Sequence, residues 1–294
     1  MISLNNKNRI LLIIVLIFIG IFIFSITSIF EERFKQKDNL KEISVNNIFR
    51  TIKGFKEENG NRYIRFYEKN KNLSYEDVVV RVNIGLDYEF YGFIKNADTS
   101  KDILILTNKY LKLDKNYKPH DLKKINDKYF INGNKSVNLL RKEAKEAFER
   151  LSNDSIINNT PIYGQSGYRT YERQEELYDY AVKNYGINKA DMDTAKPGHS
   201  EHQTGLTIDV SSTKSGNMLN FENTNSFKWM NNNAYKYGFI LRYPKNKEKI
   251  HGYVYESWHY RYIGIKAATD MHNNYSDLTF DEYYYKNIEN KKDN

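Results

Sequence analysis

The longest apolar run opens the chain: residues 10–30 read I-L-L-I-I-V-L-I-F-I-G-I-F-I-F-S-I-T-S-I-F. That length suffices for one membrane-spanning helix, and no polar face interrupts it. Lys7 and Arg9 precede the run, so the positive-inside rule keeps residues 1–9 in the cytoplasm and sends the remainder across. A cleaved signal peptide would have a shorter apolar region and end in an A-x-A-like site. No alanine occurs before Ala97. We therefore expect an uncleaved transmembrane anchor at 10–30, with everything after it on the far side of the membrane.

Beyond the run the pattern changes. Residues 31–74 are charged and mixed in sign, which reads as a juxtamembrane stalk with a short helix near 41–55. Residues 75–135 read as an extension of the folded domain that follows. In it, the β-branched and apolar segments 78–82 (V-V-V-R-V) and 103–106 (I-L-I-L) predict strands, and 110–122 predicts an extended stretch broken at Pro119.

Residues 136–288 carry the clearest periodicity. Leu140, Ala144, Ala147, Phe148 and Leu151 recur at helical spacing over 137–151, with Ser136 as a plausible N-cap. A second helix is predicted over 171–185, ended by Gly186, and a third over 227–237, ended by Gly238. Residues 206–210, 239–243 and 260–262 read as strands, and 263–272 and 280–288 as closing helices. The polar stretch 193–204, with Pro197 and Gly198, must be loop, and loops on a rigid scaffold are where sites are built. Helices and strands alternate without a regular βαβ period, so the expected class is α+β.

Composition narrows what such a domain does. Aromatic residues make up 15% of the 294-residue chain, with 25 tyrosines, too many for a disordered chain. The net charge of +8 suggests an anionic neighbourhood, whether a membrane surface or an anionic wall polymer. No compact basic motif or P-loop points to nucleic acid. Cysteine is absent. That excludes disulfides, thiolate ligands and cysteine nucleophiles together, leaving only histidine and carboxylates to hold a metal.

Those residues occur in a suggestive order. S-E-H-Q-T-G-L-T-I-D at 200–209 is followed some fifty residues later by E-S-W-H at 256–259. His202, Asp209 and His259 make a two-histidine, one-carboxylate set suited to zinc with one position left open. His202 and Asp209 are seven residues apart, so one unbroken strand would point them to opposite faces. They can converge only if His202 sits in the loop and Asp209 on the strand, a bend that Gly205 permits. Glu256, three residues before His259, is then placed to accept a proton from a zinc-activated water and return it to the leaving amine.

At this point the chain resembles the VanY-type D-alanyl-D-alanine carboxypeptidases, zinc metallopeptidases with VanX-like and Hedgehog-like relatives. The resemblance rests on S-G-Y-R at 166–169, P-G-H-S-E-H-Q-T-G-L-T-I-D at 197–209, Y-G-F-I-L-R-Y-P at 237–244 and E-S-W-H-Y-R-Y-I-G at 256–264. It covers roughly residues 136–270. It implies a zinc-peptidase domain of Hedgehog/DD-peptidase type, with a small mixed or antiparallel sheet flanked by helices. It also implies one Zn2+ on His202, Asp209 and His259, Glu256 as catalytic base, and Arg169 stabilising the substrate carbonyl and its oxyanion. Thr207 and Ser257 depart from the residues common at those positions, and neither should touch the metal.

A fixed guanidinium is a strong donor to a localised oxyanion, although Arg169 could instead be a surface arginine on a capping turn. Gln174 is a candidate for a hydrogen bond to the substrate peptide. Ser200 is either a ligand for the terminal carboxylate or a loop-capping hydroxyl. Trp258 and Tyr260 read as packing around His259, Arg242 and Tyr243 as braces of the core or pocket wall, and His199 as outside the ligand set. His120, His251 and His272 have no evident partners.

The expected activity is a membrane-anchored, extracytoplasmic zinc carboxypeptidase that trims D-alanine from peptidoglycan stem peptides. An L,D-carboxypeptidase or an endopeptidase would use the same site, and a wall-binding module would need the pocket but not Glu256.

Overall fold

A computed structural model describes residues 47–131 and 137–289, with a few positions between 7 and 35. The expected anchor at 10–30 and the N-cap at Ser136 lie outside the described residues, apart from isolated positions in the former. Among the described residues no helix is long and apolar enough to cross a membrane. The chain divides into two units, Met1–Val79 and Val80–Asn294.

In the first unit, a 3₁₀ turn at Glu57–Asn59 leads into α1 (Gly60–Lys69). Its interior is aromatic. Phe49 is fully buried, with its ring 5.5 Å from Tyr63 and edge-on to Tyr75 at 5.1 Å. Helix α2 (Tyr75–Ile84) begins here and occupies the segment expected to be a strand. Local capping outweighs the β-branched propensity of V-V-V-R-V. The Ser74 hydroxyl accepts from the Asp77 amide at 3.0 Å and donates to the Asp77 carboxylate, and Glu76 and Asp77 place negative charge in the first turn.

The second unit opens with short pairings. Strand β1 (Lys95–Asn96) runs parallel to β2 (Leu111–Lys112), and β3 (Leu122–Lys124) pairs antiparallel with β4 (Leu139–Arg141). Between β1 and β2, Thr99–Leu104 forms 3₁₀ turns where a strand was expected at 103–106. Asp98 caps this segment by accepting from the Ser100 amide. Helix α3 (Lys142–Ile157) then begins one residue after β4, so the predicted helix starts later and runs further.

The principal sheet is built from β5 (Tyr163–Ser166), β6 (Thr207–Ser211), β7 (Phe239–Leu241) and β8 (His259–Tyr262). Its order is β5-β6-β8-β7, and every pairing is antiparallel. Helices α4 (Tyr171–Tyr185) and α5 (Ile187–Asp193) separate β5 from β6, with a 3₁₀ turn at Glu201–Thr204 just before β6. Helix α6 (Asn225–Asn233) precedes β7, and the short α7 (Glu248–His251) precedes β8. Helices α8 (Ile265–Asn274) and α9 (Phe280–Asn287) close the chain.

The two faces of this sheet differ in chemistry because side chains alternate along each strand. Ile208, Val210, Tyr260 and Tyr262 join Ala144, Ala147, Phe148 and Leu151 of α3 in one apolar cluster. Thr207, Asp209, His259 and Arg261 take the alternate positions, and the register sets Thr207 opposite Arg261 and Asp209 opposite His259. A second cluster joins Leu106 and Tyr110 to Phe280, Tyr283 and Tyr284 of α9. The α+β expectation therefore holds, with an antiparallel central sheet.

Candidate metal and active site

The polar face of β6 and β8 supplies two side chains to one point. Residues paired across antiparallel strands hold their Cβ atoms about 4.5–5.5 Å apart, and Asp209 Oδ1 lies 3.1 Å from His259 Nδ1. The third side chain arrives from the 3₁₀ turn. Gly205 ends that turn with φ of 67°, in the left-handed region. The bend brings His202 Nε2 to 3.2 Å from Asp209 Oδ2. Ligand atoms of His202, Asp209 and His259 all lie within 4.8 Å of one another, and all three side chains are buried.

The protons around these atoms indicate what belongs between them. His202 Nδ1 lies 2.7 Å from the Gly167 carbonyl oxygen, which can only accept. Nδ1 therefore carries the proton, and in a neutral ring Nε2 presents a lone pair to Asp209. Burial lowers the His202 pKa, favouring that neutral ring. Asp209 Oδ1 is buried and accepts no hydrogen bond. Burial opposes ionisation of Asp209, but His202 and His259 outweigh it and hold the carboxyl well below its ordinary range. For His259 burial also disfavours charge, yet Asp209 and Glu201 hold the imidazole up at about 9. The His202 lone pair facing a buried carboxylate calls for a cation, and a nitrogen, nitrogen, oxygen donor set fits a divalent metal such as zinc, which would displace the proton from His259 Nδ1.

Glu256 precedes β8, and its backbone amide is held by the Tyr243 carbonyl at 3.2 Å. Its Oε2 sits 3.3 Å from His259 Nδ1, and burial pushes its pKa up to about 7. Arg169 is fixed between β5 and α4, one residue before Thr170, whose hydroxyl caps α4 by accepting from the Arg173 amide. The guanidinium donates to Gln174 Oε1 at 2.8 Å and to Ser166 Oγ at 3.2 Å. Gln174 in turn donates to the Ala195 carbonyl at 2.7 Å, so both ends of its amide are engaged within the protein. The Ser200 hydroxyl makes no capping bond, and the side chain lines the cleft.

All seven residues singled out from the sequence (Arg169, Gln174, Ser200, His202, Asp209, Glu256 and His259) line one cleft of about 330 Å³. Tyr180, Tyr185, Tyr253 and Trp258 add aromatic surface to its walls. His199 lies apart from the ligands, with Nδ1 2.7 Å from the Asn108 carbonyl and its ring edge-on to Tyr91. His251 packs its ring 5.2 Å from Tyr243, and His272 stacks on Tyr235 at 3.7 Å.

Sequence reasoning passed over Glu201 and Arg261. Glu201 Oε1 accepts from Arg242 Nε and Arg261 Nη1, each at 2.8 Å, and all three side chains are fully buried. The two arginines overcome the desolvation cost and hold Glu201 well below the usual carboxylate range. A signal was present: on a strand, Arg261 must share a face with His259, and no buried face leaves an arginine without an acid.

Comparison with known proteins places this geometry. Residues 137–265 match the family described as VanY: D-alanyl-D-alanine carboxypeptidase. A putative carboxypeptidase, YodJ, of Bacillus subtilis (strain 168) is 41% identical over 209 residues, covering 68% of this chain and 76% of that protein. A D-alanyl-D-alanine carboxypeptidase of Enterococcus faecalis is 40% identical over 130 residues, 40% of this chain and 45% of its own. Among solved structures, the LdcB LD-carboxypeptidase aligns with TM-score 0.61 and 40% identity, over 66% of this chain and 90% of its own. A glutamate-to-alanine mutant of the vancomycin-resistance D,D-pentapeptidase VanY, in complex with Zn(II), aligns with TM-score 0.51 and 30% identity, over 61% and 97%. With such a relative covered over most of its length, and with the matched region holding all three candidate ligands and Glu256, the chain belongs to the VanY family of D-alanyl-D-alanine carboxypeptidases.

Proposed function

We propose that this protein is a membrane-anchored, extracytoplasmic zinc carboxypeptidase that removes the C-terminal D-alanine from peptidoglycan stem peptides. The observation that carries the reading is the convergence of His202, Asp209 and His259 within 4.8 Å of one another, in a cleft that also holds Glu256 and Arg169. His202 through Nε2, His259 through Nδ1 and a carboxylate oxygen of Asp209 would hold the zinc ion. When bound, zinc supplies Lewis acidity toward the scissile carbonyl and lowers the pKa of a coordinated water to about 7.

The chain's own groups account for the remaining chemistry. Glu256, with a pKa near 7, can take a proton from the attacking water and return it to the leaving amine at neutral pH. Arg169 meets the negative charge that develops on the carbonyl oxygen, and its hydrogen bonds to Gln174 and Ser166 fix it beforehand. With both ends of its amide engaged, Gln174 acts by orienting Arg169. Ser200 offers its hydroxyl to the terminal carboxylate. The apolar run at 10–30, preceded by Lys7 and Arg9, supports the anchor and its orientation.

The test is release of D-alanine from a pentapeptide ending in D-Ala-D-Ala, with and without chelator, by wild type and Glu256→Ala. Activity should disappear with the metal and fall by about 10²–10⁴-fold in the variant; activity that survives both treatments rejects the mechanism.

A second reading changes the bond cut. The LdcB LD-carboxypeptidase aligns with higher TM-score and identity than the VanY D,D-pentapeptidase, which favours an L,D-carboxypeptidase acting on tetrapeptide stems. Mass spectrometry of defined tetrapeptide and pentapeptide muropeptides after incubation with the protein separates the two readings.

A further inference from the structure

Each of two ligand histidines needs its second ring nitrogen fixed, because that nitrogen's proton decides which lone pair is free for the metal. For His202 the Gly167 carbonyl does this at 2.7 Å. His259 presents Nδ1 to Asp209 and Glu256, so with zinc on Nδ1 its Nε2 would carry the ring's proton. That Nε2 is buried and has no hydrogen-bond partner among the described residues. The nearest acceptor is Glu201 Oε2 at 3.7 Å, about 0.5 Å beyond ordinary hydrogen-bond range.

Glu201 is built to face that nitrogen. Its Oε1 is saturated by Arg242 and Arg261, which leaves Oε2 to look toward His259 and toward Thr207 Oγ1 at 3.4 Å. The arginines are themselves fixed. Arg242 donates to Asp281 at 2.7 Å, and Asn108 donates to the other oxygen of the same carboxylate at 2.7 Å. Arg261 donates to the carbonyls of Ile103 at 3.1 Å and Ile105 at 2.6 Å. Glu201 and Asp281 balance the two arginines, so the carboxylate can point one oxygen at an imidazole without leaving buried charge uncompensated.

We propose that Glu201 is a positioning residue of the metal site: it holds His259 as the Nε2–H tautomer and thereby keeps Nδ1 free as the ligand atom. The inference rests on the metal reading given above and extends it to a residue outside the ligand set. Glu201→Gln makes a sharp probe. Its amide oxygen can still accept from both arginines, which turns its NH2 toward His259 Nε2. A donor then faces a donor, and the imidazole is driven to carry its proton on Nδ1, where the metal must bind.

The experiment compares the zinc affinity of wild type and Glu201→Gln, by competition with a chromogenic chelator, with the Tm of both metal-free proteins. The expected result is one zinc per wild-type chain and an affinity weaker by about 10–100-fold in the variant. Unchanged zinc affinity in the variant, whatever its Tm, overturns the role of Glu201 alone. A wild-type chain that takes up no zinc overturns the metal reading and this inference with it. Should Glu201→Gln fail to fold, long-range ¹H–¹⁵N spectra of histidine in the zinc-loaded wild-type protein decide the question. A proton on Nε2 of one zinc-bound histidine and on Nδ1 of the other supports the proposal. Protons on Nδ1 of both refute it.

Discussion

At the scale of single residues, the proposed roles divide into groups that would meet substrate and groups that would hold those groups still. Arg169 and Gln174 make the distinction measurable. Arg169→Ala should lower kcat by about 10²–10³-fold, the usual cost of losing one oxyanion donor. Gln174→Ala should show a smaller loss in the same parameter, because it loosens Arg169 and leaves the guanidinium in place. If Gln174→Ala instead raises KM at constant kcat, the amide binds substrate directly. The sequence was most legible for residues of this kind. His202, Asp209 and His259 could be found because few side chains hold zinc and cysteine was absent. Gln174 was read as a candidate hydrogen bond to substrate, but both ends of its amide are engaged by Arg169 and the Ala195 carbonyl, the latter brought in by a loop with no local signature.

At the scale of elements, the bend before β6 matters most. Gly205 closes the turn that carries His202, and a Cβ there would lie 2.8 Å from Leu122 Cδ2 in addition to the strain of left-handed backbone. Gly205→Ala should therefore cost about 1–2 kcal/mol of stability and weaken metal binding in the same variant, read by thermal unfolding with and without zinc. An unchanged Tm would show that the turn has an alternative path. One of two segments misread as strands was α2, the other being 103–106. Val78–Val82 has strand composition, but Ser74 and Asp77 cap a helix just before it, and a side-chain cap is a local bond that a propensity sum does not register. Gly186, by contrast, marked the end of α4 correctly, because a positive φ at a helix C-terminus leaves little choice of residue.

At the scale of the whole molecule, the reading joins an N-terminal apolar run to a site for a wall peptide. The full-length protein should partition with the membrane fraction and resist extraction by high salt, since an inserted helix is held by apolar burial and screening leaves that contribution intact. Recovery in the soluble fraction with residues 10–30 intact would reject the anchor. The orientation proposed from Lys7 and Arg9 is checked by protease accessibility of the folded domain in intact cells.

The pairing of Asp209 with His259 reaches beyond the metal. Because Ile208 opposite Tyr260 belongs to the core and Asp209 opposite His259 to the cleft, the two strands carry a parity. A slip of one residue would send the ligands into the apolar layer and the core side chains into the cleft together. No such shifted pairing can keep a sound interior around a broken site, or the reverse. Packing therefore proofreads the frame in which the chemistry is written.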